Sequence, residues 1–541
     1  MLAILFYGRE IMLERNEIID NRYKLVEKLR ENGINPFPKK YTASHKSIEV
    51  VEKSVEFIDS KTNVNVAGRV LTIRSFGKTT FFHLLDGAGK VQIYVNANYA
   101  DQESYALFKD YIETGDFIGV EGEVFKTKTE EITIAAKKIT LLTKSTRPLP
   151  EKFHGLRDKE TRYRQRYVDL IVNEDVKKTF VKRSKIISAM RRYLEDRDYL
   201  EVETPMLQSI CGGALAKPFT THHNALDIDL FMRIAPELYL KRLIVGGIER
   251  VFEINRNFRN EGISHKHNPE FTMMELYTTF FDYNDTIALT EDMLKTLFKE
   301  INGELKIHIG ENEIDISGDW RKVSILDAIK EHSGVEFSWD DSKEEIMSKI
   351  NNYVKKINED CPEKIISSES EAESEAEKEI FKTLRLGLKA LHGMTPAEMI
   401  VYFFEHSVEK NLIEPTFIID YPKEISPLAK EKPENPKLVE RFELYINGME
   451  IANAYSELND PAEQYLRFKE QVNTREAITE GFNPVVDEDY VRALEYGMPP
   501  TSGLGVGIDR LVMLMTNNES IRDVILFPLL RPESEVEEEE K

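Results

Sequence analysis

Between residues 252 and 277 the chain reads FEINRNFRNEGISHKHNPEFTMMELY, and few folds can hold such a stretch. Its first segment alternates. Phe252, Ile254 and Phe258 fall on one face; Glu253, Asn255, Asn257, Arg259 and Glu261 fall on the other. The loop GISHKHNP leads to a second segment in which Phe271, Met273, Glu275 and Tyr277 share a face. The pair predicts an antiparallel hairpin whose long loop carries Lys266 and His267, with Arg259, Glu261 and Glu275 together on its polar side. Apolar flanks place the hairpin centrally in a sheet. A charged face there needs a polar cover, because unpaired buried charges are costly. A charged ligand would supply one; a solvated ion-pair ladder is the alternative.

At 541 residues the chain is expected to hold two or three domains. It has two cysteines, Cys211 and Cys361, without CxxC spacing, which argues against a disulfide framework or a structural zinc site. The opening MLAILFYGRE has no basic n-region and no small-residue cleavage site, so it reads as neither signal peptide nor membrane span. Met12 is a second candidate start. A soluble cytoplasmic protein without a membrane partner is the expectation.

The formal charge of −22 disfavours nucleic acid until its distribution is examined. Residues 1–150 hold 22 Lys+Arg and 20 Asp+Glu, a net of +2, so the remainder carries −24. The acid concentrates in SSESEAESEAEKE at 367–379 and in the C-terminal ESEVEEEEK, both read as solvated segments.

Helical periodicity of Ile18, Ile19, Tyr23, Val26 and Leu29 predicts a helix over 17–32, stopped at Asn32-Gly33. Its basic side, Arg22, Lys24, Lys28 and Arg30, reads as a solvated face, with phosphate contact the alternative. From about 63 to 145, five short β segments with a helical insert near 99–113 fit a closed barrel of the OB type. In TTFFHLL, Phe81, His83 and Leu85 point one way and Phe82 and Leu84 the other. An outward phenylalanine would be a base-stacking platform, and Gln92 in the next strand has the donor and acceptor to read a base edge; both rings in the core is the alternative. Residues 147–166 hold seven bases and three acids, suited to a nucleic-acid backbone or to salt bridges. A long helix over about 175–197 and YLEVETPML follow, the latter a strand interrupted by Pro205 at a sheet boundary or subunit contact. Residues 320–415 read as a mainly helical insertion.

Two more clusters carry chemistry. In RFELYINGMEIANAYSELND (441–460), Glu443 and Glu450 flank the turn signal Asn447-Gly448, while Asn453, Tyr455 and Glu457 alternate onto one face. Two converging carboxylates beside a polyphosphate suit Mg2+; a polar hairpin is the alternative. In TSGLGVGIDRLVMLMT (501–516), Gly503, Gly505 and Gly507 alternate before Arg510 opens an apolar helix. Such glycines permit close approach to a ligand, and the run is neither a Walker A nor a GxGxxG motif.

These three clusters, in this order and after an OB-like barrel, resemble the class II aminoacyl-tRNA synthetases, most closely the lysyl group of bacterial type. The likeness spans about residues 17–532. The helix and strand ending at Pro205 resemble motif 1, the dimer element; FRNEGISHKHNPEF (258–271) resembles motif 2 and GLGVGIDR (503–510) motif 3. GGALAKPF (212–219), RIAPELYLKR (233–242) and the 441–460 run resemble the lysyl group in particular.

The resemblance implies an α+β chain: a helical extension (1–62), an OB-fold anticodon-binding domain (63–146), a linker (147–174), an antiparallel-sheet catalytic domain (175–532) with its insertion, and an acidic tail (533–541). It implies a cytoplasmic homodimer that activates L-lysine with ATP and Mg2+ and transfers it to tRNA(Lys). Arg259 would hold the α-phosphate and the amino-acid carboxylate, with Glu261 and His267 also at the nucleotide, His267 by the γ-phosphate. Phe271 and Arg510 would sandwich adenine, and Glu443 and Glu450 would carry the metal. Gly213 and Glu237 would take the α-amino group; Glu275, Tyr277 and Glu457 would surround the ε-ammonium, with Asn453 and Tyr455 along the stem. Tyr455 stands where phenylalanine is expected, so its hydroxyl needs a partner. Phe81 and Gln92 would meet the anticodon. Glu275 and Glu457 argue against an aspartyl- or asparaginyl-type enzyme, the barrel against a protein-modifying lysyl ligase, and the intact nucleotide residues against an inactive RNA-binding paralogue.

Overall fold

The computed structural model describes residues 16–150, 156, 158–213, 216–360, 391–475 and 485–532. The acidic run at 367–379, the tail at 533–541 and both candidate start residues lie outside them. The chain divides into two compact units, Met1–Arg157 and Asp158–Lys541.

In the first unit a helix runs over Glu17–Glu31, where Asn16 accepts from the Ile19 N–H and Gly33 takes a positive φ past the end. Its buried stripe is Ile19, Arg22, Val26 and Leu29, whereas Ile18 and Tyr23 are exposed. Arg22 therefore belongs to neither expected role. Its guanidinium donates to the carbonyls of Thr114, Ser145 and Arg147, clamping the helix to the end of the barrel. The barrel strands are β1 (Asn63–Phe76), β2 (Thr79–Leu85), β3 (Lys90–Asn96), β4 (Phe117–Lys126) and β5 (Ile132–Thr143). They close in the order β1-β2-β3-β5-β4, with a helix at Gln102–Tyr111 after β3. Phe82 is core, stacked on Phe108 of that helix, so Phe81 takes the outer side.

The second unit starts earlier than the expected boundary at 175. Helices at Lys159–Arg164 and Arg166–Val172 already belong to it. Arg166 is fully buried, donating to the carbonyls of Arg522 and Leu526 and pairing with Asp169 at 2.7 Å. At this residue the basic stretch is an anchor rather than an open nucleic-acid surface. The helix Glu174–Glu195 leads to β6 (Leu200–Glu201), β7 (Leu207–Gln208), β8 (Thr220–His223) and β9 (Ile228–Met232). YLEVETPML is thus divided. β6 ends the main sheet, β7 joins a small sheet β7-β9-β8, and Pro205 lies between.

The chain continues through β10 (Arg250–Phe258), β11 (Glu270–Thr279), β12 (Lys306–Ile309), β13 (Asn312–Asp315), β14 (Arg321–Ser324), β15 (Thr416–Ile419), β16 (Glu431–Lys432), β17 (Asn435–Val439), β18 (Arg441–Ile446), β19 (Met449–Ser456) and β20 (Thr501–Gly507). The main sheet has the order β14-β15-β18-β19-β20-β11-β10-β6, antiparallel except at its two outermost pairs. The insertion begins inside this sheet, since β14 and β15 are parallel neighbours joined through helices at Ile325–Ser333, Lys343–Asp360 and Pro396–Ser407. One sheet face buries Phe252, Met274, Leu276, Ala454 and Val506 against Met190, Leu297 and Val512 of covering helices. Strand alternation sends the polar residues to the opposite face, and there the site lies.

Candidate functional site

Strand β20 lies between the two hairpins that supply the site. Its glycines are in register with both: Gly503 pairs with Tyr277 and Tyr455, Gly505 with Glu275 and Asn453, and Gly507 with Met273. Side chains from β11 and β19 lean over this bare strand. A Cβ on Gly503 would lie 2.3 Å from Glu457 Oε1 and 2.5 Å from the Tyr277 ring. The alternate glycines thus form the floor that lets these side chains converge. Above it opens a cavity of about 510 Å³, lined by every residue assigned to lysine, nucleotide and metal in the sequence reading.

One end of the cavity is anionic. Glu237, Glu275 and Glu457 are all buried. Glu237 comes from the helix Glu237–Val245, whose next turn brings Lys241 between it and Glu457. Lys241 Nζ donates to Glu237 Oε1 at 2.5 Å and pairs with Glu457 Oε2. Its ammonium faces the rings of Tyr277, Tyr455 and Tyr490. Burial works against the Lys241 charge, but Glu237 and Glu457 outweigh it and keep the group protonated. The Tyr455 hydroxyl donates to Glu237 Oε1 at 2.6 Å, which supplies the partner that this hydroxyl requires. Burial first, then Glu237, pushes the Glu275 carboxyl up to about 8, although Tyr277 donates to it at 3.3 Å. Among the described residues neither oxygen of Glu457 receives an aligned hydrogen bond.

The other end holds two arginines. Arg259 follows β10, its guanidinium 5.1 Å from the Phe271 ring centre, and among the described residues its buried Nε has no hydrogen-bond partner. Arg510, in the first turn of the helix Ile508–Thr516, donates to the Glu450 carbonyl at 2.8 Å and to its carboxylate at 3.0 Å. It also reaches His267 Nε2 at 3.2 Å. Arginine can only donate, so Nε2 accepts and Nδ1–H turns to the Ser264 hydroxyl at 2.8 Å. Partial burial, then Arg510, lowers the His267 pKa and keeps the ring neutral near pH 7. Asp509 sets the helix in place by accepting from the Thr272 N–H at 2.7 Å and from Arg183 at 2.6 Å.

Glu443 and Glu450 stand on one face, but not as simple cross-strand partners. Asn447 and Gly448, both at positive φ, form the two-residue turn. Tyr445 pairs with Glu450, yet Leu444 pairs with Ala452, so Ile451 bulges out. Glu443 accepts from Arg441 at 2.5 Å, Tyr421 at 2.8 Å and Tyr445 at 2.7 Å. Glu405 and Glu409 from the insertion add to this cluster. Desolvation, then Glu443, Glu409 and Glu450, pushes Glu405 up to about 7. This crowding of hard oxygen donors fits a divalent cation. Among the described residues no group of three His, Cys, Asp or Glu encloses a metal alone, whereas Mg2+ needs one or two carboxylates beside phosphate oxygens.

Not every residue of the expected polar face reaches the cavity. Glu253 is buried away from the cavity, held by Arg233 and Thr204 at 2.7 Å each. Asn257 is buried and does not line the cavity. Lys241, Arg441, Glu405 and Asp509 were not singled out from sequence. The period of Glu237–Val245 places Lys241 one turn after Glu237, which was a readable signal; the others depend on distant segments.

On the outer side of the barrel, Phe81 lies 5.2 Å from Tyr94, which packs edge-on against Phe125 at 5.7 Å. Gln92 donates to Glu131 at 2.7 Å and accepts from Thr133 at 2.8 Å. His83 meets the other oxygen of Glu131 at 2.9 Å. Aromatic faces thus adjoin a polar row able to exchange hydrogen bonds with a base.

Residues 158–531 match the family model of the class II tRNA synthetases (D, K and N), and residues 64–142 match that of the OB-fold nucleic acid binding domain. The chain is 50% identical over 525 residues to the lysine–tRNA ligase of Pelotomaculum thermopropionicum, covering 97% of this chain and 96% of that one. It is 49% identical over 523 residues to the lysine–tRNA ligase of Bacillus subtilis, covering 96% and 98%. For the enzyme of Carboxydothermus hydrogenoformans the identity is 48% over 519 residues, covering 96% and 99%.

Proposed function

The chain belongs to the class II tRNA synthetases, and from that premise we propose that it is a lysine–tRNA ligase. It activates L-lysine with ATP to lysyl-adenylate and transfers the lysyl group to the 3′ end of tRNA(Lys). The observation that carries this reading is the polarity of the cavity. Three buried carboxylates lie at one end; Arg259, with its Nε unpartnered, and Arg510 lie at the other. Lysine has two ammonium groups for the first, and ATP has phosphates for the second.

Glu237, beside Gly213, suits the α-amino group; Glu275, Tyr277 and Glu457 suit the ε-ammonium, with Asn453 along the stem. Arg259 holds the α-phosphate and the lysine carboxylate together, offsetting charge that grows during in-line attack. The attacking carboxylate is already ionised, so no side chain has to remove a proton. Phe271 and Arg510 flank adenine, with Glu261 at the cavity rim and neutral His267 beside the terminal phosphates. Glu443 and Glu450 would hold Mg2+, which supplies charge neutralisation on the phosphates.

Phe81 stacks on an anticodon base and Gln92 reads its edge, a role supported by the outward aromatic row. Homodimerisation is supported by exposed apolar residues at the sheet margin, Leu200 on β6 and Leu207, Leu226 and Ile228 around the small sheet. Translation places the enzyme in the cytoplasm, and no described helix is long and apolar enough to cross a membrane. The deciding test is ATP–pyrophosphate exchange with each of the twenty amino acids. Exchange with lysine alone is expected; exchange driven by aspartate or asparagine would overturn the assignment.

A further inference from the structure

Lys241 is a fully buried ammonium inside a site meant for another ammonium. We propose that Lys241 is a positioning residue for lysine recognition, occupying one oxygen each of Glu237 and Glu457 so that the second oxygen of each faces the substrate. This inference rests on the reading of the cavity as a lysine site.

The geometry divides each carboxylate. At Glu237, Oε1 already accepts from Lys241 and from the Tyr455 hydroxyl. The other oxygen, Oε2, lies 3.8 Å from where a Cβ on Gly213 would be, on the side assigned to the α-amino group. At Glu457, Oε2 is the atom paired with Lys241. Its partner Oε1 lies over the Gly503 floor beside the Tyr277 ring, on the side assigned to the ε-ammonium. One internal cation therefore fixes two carboxylates that sit at opposite ends of the substrate.

Charge points the same way. Glu237, Glu275 and Glu457 carry three negative charges when ionised, and Lys241 offsets one. The two ammonium groups of bound lysine offset the other two, its carboxylate pairs with Arg259, and the charges of these groups sum to zero. Without Lys241 the empty site would have to keep three carboxylates apart, and proton uptake would disarm them. The other side chains around this end are Arg233, Arg259, Tyr277, Tyr455 and Tyr490, of which the arginines are charged. Burial pushes the carboxyls of Glu275 and Glu457 up, and Lys241 works against that rise at Glu457.

The test is lysine-dependent ATP–pyrophosphate exchange by the full-length enzyme and by Lys241→Met. The expected result is a rise of about thirtyfold in KM for lysine, as for lost hydrogen bonds to charged groups, with KM for ATP within about twofold. An unchanged KM for lysine, or equal losses toward lysine and ATP, would overturn the proposal. If Lys241→Met does not fold, Lys241→Arg, which keeps the charge and moves its donors, carries the same test, with a raised KM for lysine and KM for ATP within about twofold expected. An unchanged KM for lysine in Lys241→Arg would overturn the proposal. If the parent enzyme shows no lysine-dependent exchange, the lysine-site reading itself fails and takes the proposal with it.

Discussion

Glu253 and Glu275 stand directly opposite one another in the central hairpin, two buried carboxyls on the same face. Like charges in cross-strand positions repel, so each must be relieved differently. Glu253 is relieved by Arg233, which lies 2.7 Å away. Among the described residues Glu275 has no ion-pair partner, and it is relieved by keeping a proton, with a pKa of about 8.

Proton release on lysine binding follows from that difference. Below about pH 8 the empty site holds Glu275 protonated, and an incoming ammonium favours the ionised form. Lysine affinity should therefore rise as pH approaches 8 and level off above it. Calorimetric titration at pH 7 in buffers of differing ionisation enthalpy should show proton release on lysine binding. Glu275→Gln should reduce that release, the remainder belonging to Glu457, whose carboxyl burial also pushes up.

Tyr455→Phe should show what the extra hydroxyl does. The variant keeps the ring but removes one donor from Glu237 Oε1, while Lys241 remains on that atom. The expected cost of about 1 kcal/mol corresponds to a rise of about fivefold in KM for lysine. KM for ATP should be unchanged, and steady-state exchange kinetics measure both.

Gly503→Ala should be far more damaging than Gly505→Ala. A methyl at 503 meets Glu457 Oε1 and the Tyr277 ring inside a closed site, whereas at 505 its first neighbour, at 2.9 Å, is the flexible Met273 Cε. The expected outcome is loss of lysine activation by about 5- to 150-fold for Gly503→Ala, from overpacking of about 1–3 kcal/mol that displaces both side chains. ATP binding, read by equilibrium dialysis, should survive in both.

Phe81→Ala should separate the two units functionally. Removing a stacking platform costs about 1–3 kcal/mol per base. Charging of tRNA(Lys) should weaken accordingly while lysine-dependent pyrophosphate exchange is unchanged. Equal loss of both steps would instead mark a folding defect.

Much of this architecture was legible from local pattern. Period-2 alternation located the hairpins, and the Asn447-Gly448 signal located the β18–β19 turn. The motif resemblance then assigned residues whose side chains converge on one cavity. Lys241 escaped because a lysine next to Arg242 on a helix normally lies in solvent. Its burial is imposed by Glu457, more than two hundred residues away in sequence. Arg22 escaped for a related reason, being a charged residue in an apolar stripe whose partners are distant carbonyls.

The β18–β19 hairpin separates what sequence determines from what tertiary structure decides. Sequence determines that Glu443 and Glu450 share a face across a two-residue turn, and that Asn453, Tyr455 and Glu457 share one with each other. In a regular hairpin those would be opposite faces, because 450 and 453 differ by an odd number. The bulge at Ile451 shifts the register by one residue and brings both sets to the same side. No local residue signal announces that bulge. It is held by Lys266 from the motif 2 loop on the Gly448 carbonyl, Arg510 on the Glu450 carbonyl, and Asn453 and Tyr455 in register with the glycine floor. Periodicity is a property of neighbours along the chain, whereas register depends on which strands meet across the sheet.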